Sequence, residues 1–151
     1  MARIVLTEPE RCNDWLFERI SVDCSLRDSY VIGLEKAGEL VAAVAYTNFT
    51  GKSVVMHVAI DDRSAITRRF VWTCFDYPFN QMGIFKVLGY VDSSNAEALN
   101  LDLKLGFRVV TVIPEVYPEG DLVVLEMKRG DCRWLKLGVK YGQESQSAAA
   151  A

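Results

Sequence analysis

Residues Asn95 to Phe107 read Asn-Ala-Glu-Ala-Leu-Asn-Leu-Asp-Leu-Lys-Leu-Gly-Phe, and this stretch decides the fold. Asn95 is a residue type that favours the start of a helix, and Gly106 is the type that most often ends one. Apolar runs over 84–91 and 107–113 flank the helical segment, and both have the length and composition of strands. The stretch therefore predicts a strand, a short helix over 95–105 and a second strand.

The rest of the chain alternates between strand-like runs and amphipathic segments in the same way. A helix is predicted after an N-cap at Thr7, ending near Asp23, and a second one near Ser64, capped by Asp61-Asp62 and ended or kinked at Pro78. Residues 114–120 are predicted to form a loop. Further strands are predicted over 3–6, 30–34, 40–46, 53–60 and 122–127. The element order is β-α-β-β-β-α-β-α-β-β, an α/β (α+β) arrangement with helices beside a central sheet.

Composition indicates an ordinary soluble protein. The chain has 151 residues, of which 50% are hydrophobic and 25% charged, and a formal net charge of -3. One domain over 1–130 is expected, followed by a C-terminal extension and tail over 131–151. The acidic balance disfavours nucleic acid as the main partner. No run reaches the roughly 18 apolar residues of a membrane helix, and Glu8 and Glu10 come too early for a signal peptide, so a cytoplasmic location is expected.

The metal-ligating residue types are too scattered to predict a metal site. The four cysteines form no Cys-x-x-Cys pair, and His57 is the only histidine in the sequence. Reduced and mostly buried thiols are therefore expected.

Asn95, Ala98 and Leu105-Gly106-Phe107 stand at the spacing found in the GCN5-related N-acetyltransferase (GNAT) family, and the element order over 2–128 resembles that family's fold. The resemblance implies a central mixed, mostly antiparallel sheet and transfer of an acetyl group from acetyl-CoA to an amine. Three segments also resemble the branch of the family encoded in bacteriophages and prophages, which would place the protein in a host cytoplasm. They are Thr67-Arg68-Arg69, Tyr77-Pro78-Phe79 and Cys132-Arg133-Trp134-Leu135.

The same resemblance assigns the acetyl-CoA contacts, with two departures from the family pattern. The loop that usually carries glycines around the diphosphate here reads Asp61-Asp62-Arg63-Ser64-Ala65-Ile66-Thr67-Arg68-Arg69. A helix N-terminus with positive side chains still provides N–H groups and charge for a diphosphate. The implied cofactor-binding residues are Ala59, Ile60, Ser64, Ala65, Thr67, Arg68, Arg69 and Asn95. Asn95 is equally well explained as a plain helix cap.

The second departure concerns the acid that protonates the leaving thiolate. Many family members have a tyrosine where this chain has Asp102, and an aspartate with an ordinary pKa near 4 is ionised at neutral pH unless its surroundings raise that value. The sequence alone therefore does not assign the role of catalytic acid to Asp102. The acid position is vacant, taken by water, or filled by another group such as Tyr117.

His57 is the predicted catalytic residue, because it stands on the strand where the family often places its base and has a suitable ordinary pKa. A half-buried structural histidine is the competing interpretation. Glu115 and Tyr117 are predicted to recognise the amine from the last loop, whose polar residues also fit an ordinary surface turn.

Three functional hypotheses remain open from the sequence. The first is an acetyl-CoA-dependent N-acetyltransferase acting on an amine. The second is a non-catalytic protein on the same fold that binds acyl-CoA or a host protein, which the missing glycine loop and Asp102 favour. The third is modification of nucleic acid, supported by three arginines and opposed by the net charge. A homodimer is possible, with Trp134 and the tail as candidate contacts.

Overall fold

A computed structural model describes residues 1–20 and 30–138, which form one seven-stranded sheet with three α-helices beside it. Cys24 and the tail from residue 139 onward lie outside the described residues. The strands are β1 Ala2–Val5, β2 Tyr30–Lys36, β3 Glu39–Thr47, β4 Ser53–Ile60, β5 Lys86–Asp92, β6 Arg108–Tyr117 and β7 Gly120–Lys128. The α-helices are α1 Pro9–Phe17, α2 Arg68–Asp76 and α3 Ala96–Leu105. None of these helices is long and apolar enough to cross a bilayer.

The strand order in the sheet is β1-β2-β3-β4-β5-β7-β6. Every neighbouring pair is antiparallel except β4 and β5, which run parallel. The predicted fold class and element order are therefore confirmed. The single parallel pair lies at the centre of the sheet, where the connection from β4 to β5 passes through α2.

The ends of α3 are set by the two residues that the sequence singled out. The Asn95 side chain accepts a hydrogen bond of 3.1 Å from the backbone N–H of Ala98. Gly106 has a φ of 113° and closes the last turn, a conformation in which a residue with a Cβ is strained. Local capping chemistry thus fixes this helix.

The other two helices begin and end differently from the prediction. Helix α1 follows Glu8, which makes no side-chain cap, and it ends at Phe17, so both the Thr7 cap and the end near Asp23 are wrong. Helix α2 begins at Arg68, because Thr67 caps it by accepting a hydrogen bond from the N–H of Phe70. The start near Ser64 is wrong: Asp62 caps only a separate 3₁₀ turn over Arg63–Ala65.

The predicted loop over 114–120 is also wrong for most of its length. Strand β6 continues through Pro114 to Tyr117, and the turn to β7 is formed by Pro118 and Glu119. The extension bends at Glu115, which has a φ of 60°, and its N–H donates to the Asp121 carboxylate at 3.0 Å. Bending lets the strand pass a proline without ending.

The sheet carries one apolar cluster on each face. On one face α1 packs through Cys12 and Leu16 against β2 and β3. On the other face α2 packs Phe70 and Phe75, and side chains of α3 lie against the same cluster. A strand side chain therefore belongs to either the α1 face or the α2–α3 face, according to alternation.

Part of the C-terminal extension packs on the domain itself. Residues Arg133–Leu137 form a 3₁₀ turn, and the indole N–H of Trp134 donates to the carbonyl of Leu105 at 2.8 Å. This bond satisfies a carbonyl at the C-terminus of α3, which has no partner within the helix. The indole N–H of Trp134 is thus used within its own chain, and a dimer contact at this residue stays a prediction.

Candidate active site

A cleft opens at the centre of the sheet because the ladder between β4 and β5 is short. The two strands pair only over Ser53–Val55 and 86–88. Beyond this point β4 remains paired with β3 as far as Ile60, and β5 remains paired with β7 as far as Asp92. The strands therefore separate. The backbone of residues 56–60 faces that of residues 89–92 without pairing with it.

The cleft has a volume of about 410 Å³, within the usual range for a small-molecule site. Five of the predicted site residues line it together: His57, Ala59, Ile60, Asn95 and Tyr117. Six others do not line it: Ser64, Ala65, Thr67, Arg68, Arg69 and Glu115. The structure thus brings the predicted base, one strand end and the cap of α3 into one cavity.

His57 stands on β4, on the α1 face of the sheet. Its Nε2 lies 2.8 Å from the hydroxyl of buried Thr47, and its ring lies near that of Phe17, with centroids 6.5 Å apart. Burial lowers the pKa of His57 below its ordinary value, so the imidazole is neutral at pH 7. In the tautomer whose Nε2–H donates to Thr47, Nδ1 keeps a lone pair that can accept a proton.

Asp102 reaches the same cleft from α3, on the opposite face of the sheet. Gly89 of β5 allows this approach, because a Cβ at that position would lie 3.3 Å from Oδ2 of Asp102. Within residues 1–20 and 30–138, no hydrogen bond or ion pair reaches the Asp102 carboxylate. Burial raises the pKa of Asp102 to about 7, so a large fraction of this carboxyl is protonated at neutral pH.

Charge in the cleft is divided between paired and unpaired groups. Arg19 pairs with Asp61 at 3.1 Å, and Arg63 pairs with Glu97 at 3.5 Å. Asp92 accepts from the backbone N–H and the hydroxyl of Ser94. Burial, and after it the charge of Asp92, raises the pKa of Tyr117. Since both arginines are neutralised by a partner, the cleft keeps a negative balance.

Asn95 combines a capping role with a position at the cleft. Its Oδ1 is used by the N–H of Ala98, while its Nδ2 donates to no group in the described part of the chain. The two interpretations of Asn95 are therefore compatible: the oxygen caps α3, and the amide N–H groups remain available to a ligand.

In the segment after β4, backbone N–H groups that were predicted to bind the diphosphate donate to groups within the segment. The backbone N–H of Ser64 donates to Asp62, the N–H of Ala65 donates to the Asp62 carbonyl, and Ala65 is buried. Asp62 also pairs with Lys36 at 3.3 Å. Helix α2 begins just after this segment, with Arg68 and Arg69 as its first two residues.

Sequence reasoning missed Asp92 and set aside Asp102. A signal for Asp102 existed, because it follows Asn95 by seven residues and therefore lies on the same side of the helix. Its raised pKa could not be read from the sequence, since it depends on how closely α3 approaches β5. Glu115 was placed on a loop, but it stands on β6 outside the cleft.

Known structures share this arrangement of strands and helices. Spermidine N-acetyltransferase SpeG from Vibrio cholerae, as its N152L mutant, has a TM-score of 0.69 at 14% identity, over 89% of this chain and 96% of that one. YncA from Salmonella typhimurium, solved with its cofactor acetyl-CoA, has a TM-score of 0.65 at 17% identity, over 84% and 93%. The ribosomal-protein-S18-alanine N-acetyltransferase from Escherichia coli has a TM-score of 0.61 at 16% identity, over 85% and 94%.

Sequence comparison adds no relative to this list. No protein-family model matches the chain, and no curated protein matches it either. The resemblance to a phage-encoded branch stays a prediction. At 14–17% identity the structural likeness establishes the fold, and this chain has the fold of the GNAT acetyltransferases.

Proposed function

We propose that this protein is an acetyl-CoA-dependent N-acetyltransferase that acts on a primary amine. One observation supports the proposal above the others. A neutral imidazole and a carboxyl that is about half protonated at pH 7 enter one central cleft from opposite faces of the sheet, and the fold is one used by such enzymes. Acyl transfer from a thioester to an amine requires a proton acceptor for the amine and a proton donor for the thiolate.

The separated strands suit the extended arm of the cosubstrate. The backbone edges of 56–60 and 89–92 present N–H and C=O groups that do not pair with each other across the cleft. An extended chain containing amides binds to such an edge as an additional strand would. Ala59 and Ile60 lie on this edge, and the amide of Asn95 lies at the same cavity.

The diphosphate is assigned to the start of α2. The first N–H groups of a helix and the positive end of its dipole bind phosphate. Thr67 caps α2, and Arg68 and Arg69 add positive charge at its first two positions. Ser64 and Ala65 contribute less than the family pattern implies, because their N–H groups already donate to Asp62.

The reaction proceeds by direct attack of the amine on the thioester carbonyl. The amine nitrogen forms a bond to the carbonyl carbon, the carbon–sulfur bond breaks, and the acetyl group passes to nitrogen. His57 accepts the proton that the amine loses, and Asp102 donates a proton to the departing sulfur. Both groups are in the required state near pH 7 because burial disfavours their charged forms.

The acceptor is expected to be a cationic amine. Arg19 and Arg63 are each paired with a carboxylate, so Asp92 gives the cleft a net negative charge beside Tyr117. One of the similar structures is named for spermidine and another for an alanine of ribosomal protein S18. Both acceptor types belong in a test panel.

Binding and turnover are tested separately. Calorimetric titration of the full chain with acetyl-CoA should give a single site, and thiol release should require an amine. A useful panel contains spermidine, a short diamine, a neutral primary amine and a peptide that begins with alanine. The His57→Ala variant controls for background hydrolysis. Failure to bind acetyl-CoA at millimolar concentration would refute the proposal.

A non-catalytic acyl-CoA-binding protein is the second candidate. The observation that favours it is the segment after β4, whose N–H groups at Ser64 and Ala65 are used internally. Binding of acetyl-CoA without thiol release for any amine in the panel would support this alternative over the enzyme.

A further inference from the structure

Asp92 lies in the cleft at the C-terminal end of β5, on the same face of the sheet as His57. The ladder between β4 and β5 aligns Val55 with Leu88. Continuing the count along both strands brings His57 level with Tyr90, two residues before Asp92. Residues that alternate along a strand share a face, and two of them span roughly 6–7 Å. The carboxylate therefore stands further along the cleft than the predicted base.

The Asp92 carboxylate receives its hydrogen bonds through one oxygen. Oδ1 accepts from the backbone N–H of Ser94 at 2.9 Å and from the Ser94 hydroxyl at 2.8 Å. Oδ2 accepts from no group in residues 1–20 and 30–138. The two arginines that line the cleft, Arg19 and Arg63, are paired with other carboxylates. One oxygen of a negatively charged group is thus left for a ligand.

The turn between β6 and β7 packs directly against this carboxylate. The N–H of Ser93 donates to the carbonyl of Asp121 at 2.8 Å, and the N–H of Asp121 donates to the Ser93 hydroxyl at 2.8 Å. A Cβ at Gly120 would lie 2.1 Å from Oδ1 of Asp92, so only glycine allows this approach. Tyr117 stands opposite Gly120 in the ladder and lines the same cleft. An aromatic residue and a carboxylate therefore share this end of the cleft.

We propose that Asp92 and Tyr117 bind a second, protonated nitrogen of the acceptor, which makes the substrate a diamine or polyamine. This inference rests on the proposed acetyltransferase function. The nitrogen that attacks the thioester must be neutral, and a carboxylate beside it would favour its charged form and oppose the attack. Asp92 is therefore suited to a nitrogen that keeps its charge, while His57 serves the nitrogen that reacts. The ring of Tyr117 adds attraction for a cation that lies over its face.

Tyr90 suits the hydrocarbon chain that joins the two nitrogens. Its side chain lines the cleft, is 42% exposed, and precedes Asp92 on the same face of β5. An aromatic ring gives apolar contact area to methylene groups. The cleft thus presents a base, an apolar ring and a carboxylate in the order in which a diamine presents an amine, a hydrocarbon chain and an ammonium group.

Two acceptors of equal length test the second nitrogen. Putrescine has an amine at each end, and the amino alcohol of the same length has a hydroxyl in place of one amine. The kcat/KM for thiol release should be about 10-fold to 10²-fold higher with putrescine, because a hydrogen bond between charged groups contributes more than one between neutral groups. Asp92→Asn keeps an oxygen for Ser94 but loses the charge, so the preference should fall to the statistical value for two equivalent amines. Glu119→Gln, on an exposed residue outside the cleft, should keep the preference.

A glycine variant tests the position of the carboxylate without changing its charge. Gly120→Ala should displace the Asp92 side chain and lower the preference for putrescine. Gly130→Ala is the matched control, because the described residues put no atom within 4 Å of a Cβ at that position. It should keep the wild-type preference.

The outcomes separate this inference from the proposed function. Wild-type protein that uses putrescine and the amino alcohol equally well would overturn the inference, as would an unchanged preference in Asp92→Asn. Thiol release with no amine at all would refute the proposed function, and calorimetric titration with putrescine in the presence of CoA then decides the inference. Wild-type protein should bind putrescine about 10-fold or more tightly than Asp92→Asn does, and equal affinities would overturn it.

Discussion

Each wall of the cleft carries a buried titratable group, His57 on β4 and Asp102 on α3, and burial acts on the two with opposite chemical results. On the β4 wall burial lowers the pKa of His57 and leaves it able to accept a proton. On the α3 wall burial raises the pKa of Asp102 to about 7 and leaves it able to donate one. The same low-polarity environment thus prepares a base and an acid, because it disfavours charge on both.

The walls also differ in how their groups are held. His57 is oriented by Thr47 on the neighbouring strand, at 2.8 Å. Asp102 has no side-chain partner among the residues that the structure describes, and its position depends on the close approach of α3 to Gly89. The base is therefore fixed by a hydrogen bond, whereas the acid is fixed by packing.

The largest expected effect comes from removing the base. His57→Ala should lower the rate of thiol release by roughly 10²–10⁴ while leaving acetyl-CoA affinity nearly unchanged. Thr47→Val removes only the hydrogen bond that orients the ring, so its loss of rate should be smaller. An unaltered rate in His57→Ala would remove His57 from the mechanism.

Removing the acid should have a smaller effect on the rate. Asp102→Asn should slow thiol release by roughly 10-fold to 10²-fold at pH 6.5, because a thiolate leaves more readily than an alkoxide and needs less help from an acid. Glu97→Gln removes a carboxylate from the same helix, on an 80% exposed side chain, and serves as the control. Equal losses in the two variants would indicate a general charge effect and contradict a specific role for Asp102.

The same substitution should stabilise the fold at high pH. The folded-state pKa of Asp102 is about 7 against an ordinary 3.8, so the folded protein binds more protons than the unfolded chain between those values. The cost of ionising Asp102 is absent below pH 3.8, grows as the pH rises, and is complete above 7. Asp102→Asn should therefore raise the free energy of unfolding by roughly 1–2 kcal/mol at pH 8 and by little at pH 4. The expected gain is smaller than the full pKa shift implies, because the cleft admits water. Urea unfolding at both pH values measures the difference, and an equal change at both would contradict the raised pKa.

The smallest expected effect separates the two roles of Asn95. Asn95→Ala removes the cap of α3 and should cost about 1 kcal/mol of unfolding free energy. Asn95→Asp keeps a capping oxygen but loses the amide N–H groups, so it should restore stability without restoring acetyl-CoA affinity. If Asn95→Asp binds acetyl-CoA as well as the wild type, Asn95 is a cap only.

The parts of the fold that depend on local chemistry were predictable from the sequence. The ends of α3 follow from Asn95 and Gly106, whose capping roles involve only nearby backbone. The start of α2 was misplaced because two capping residues, Asp62 and Thr67, stand five positions apart, and the extended backbone at Ile66 separates their turns. Which cap begins the longer helix is decided by packing.

The parts of the site that depend on register and packing were less predictable. His57 was identified from its residue type and strand, but its contact with Thr47 requires the alignment of β3 with β4. Asp102 was set aside on its ordinary pKa, and only the approach of α3 to β5 reverses that judgement. The roles of residues whose contacts are distant in sequence could therefore be assigned only from the structure.

The pH dependence of the ratio between wild-type and Asp102→Asn activity tests the central claim most directly. Taking kcat/KM for thiol release with one amine as a ratio cancels the ionisation of the amine itself. The claim predicts a ratio that is high below pH 7 and falls towards one above it, as Asp102 loses its proton. Wild-type activity should decline at a lower pH, where His57, whose pKa burial lowers, gains a proton. A ratio that stays constant from pH 5 to about 9 would contradict the account, because the two walls of the cleft would then not supply a matched base and acid.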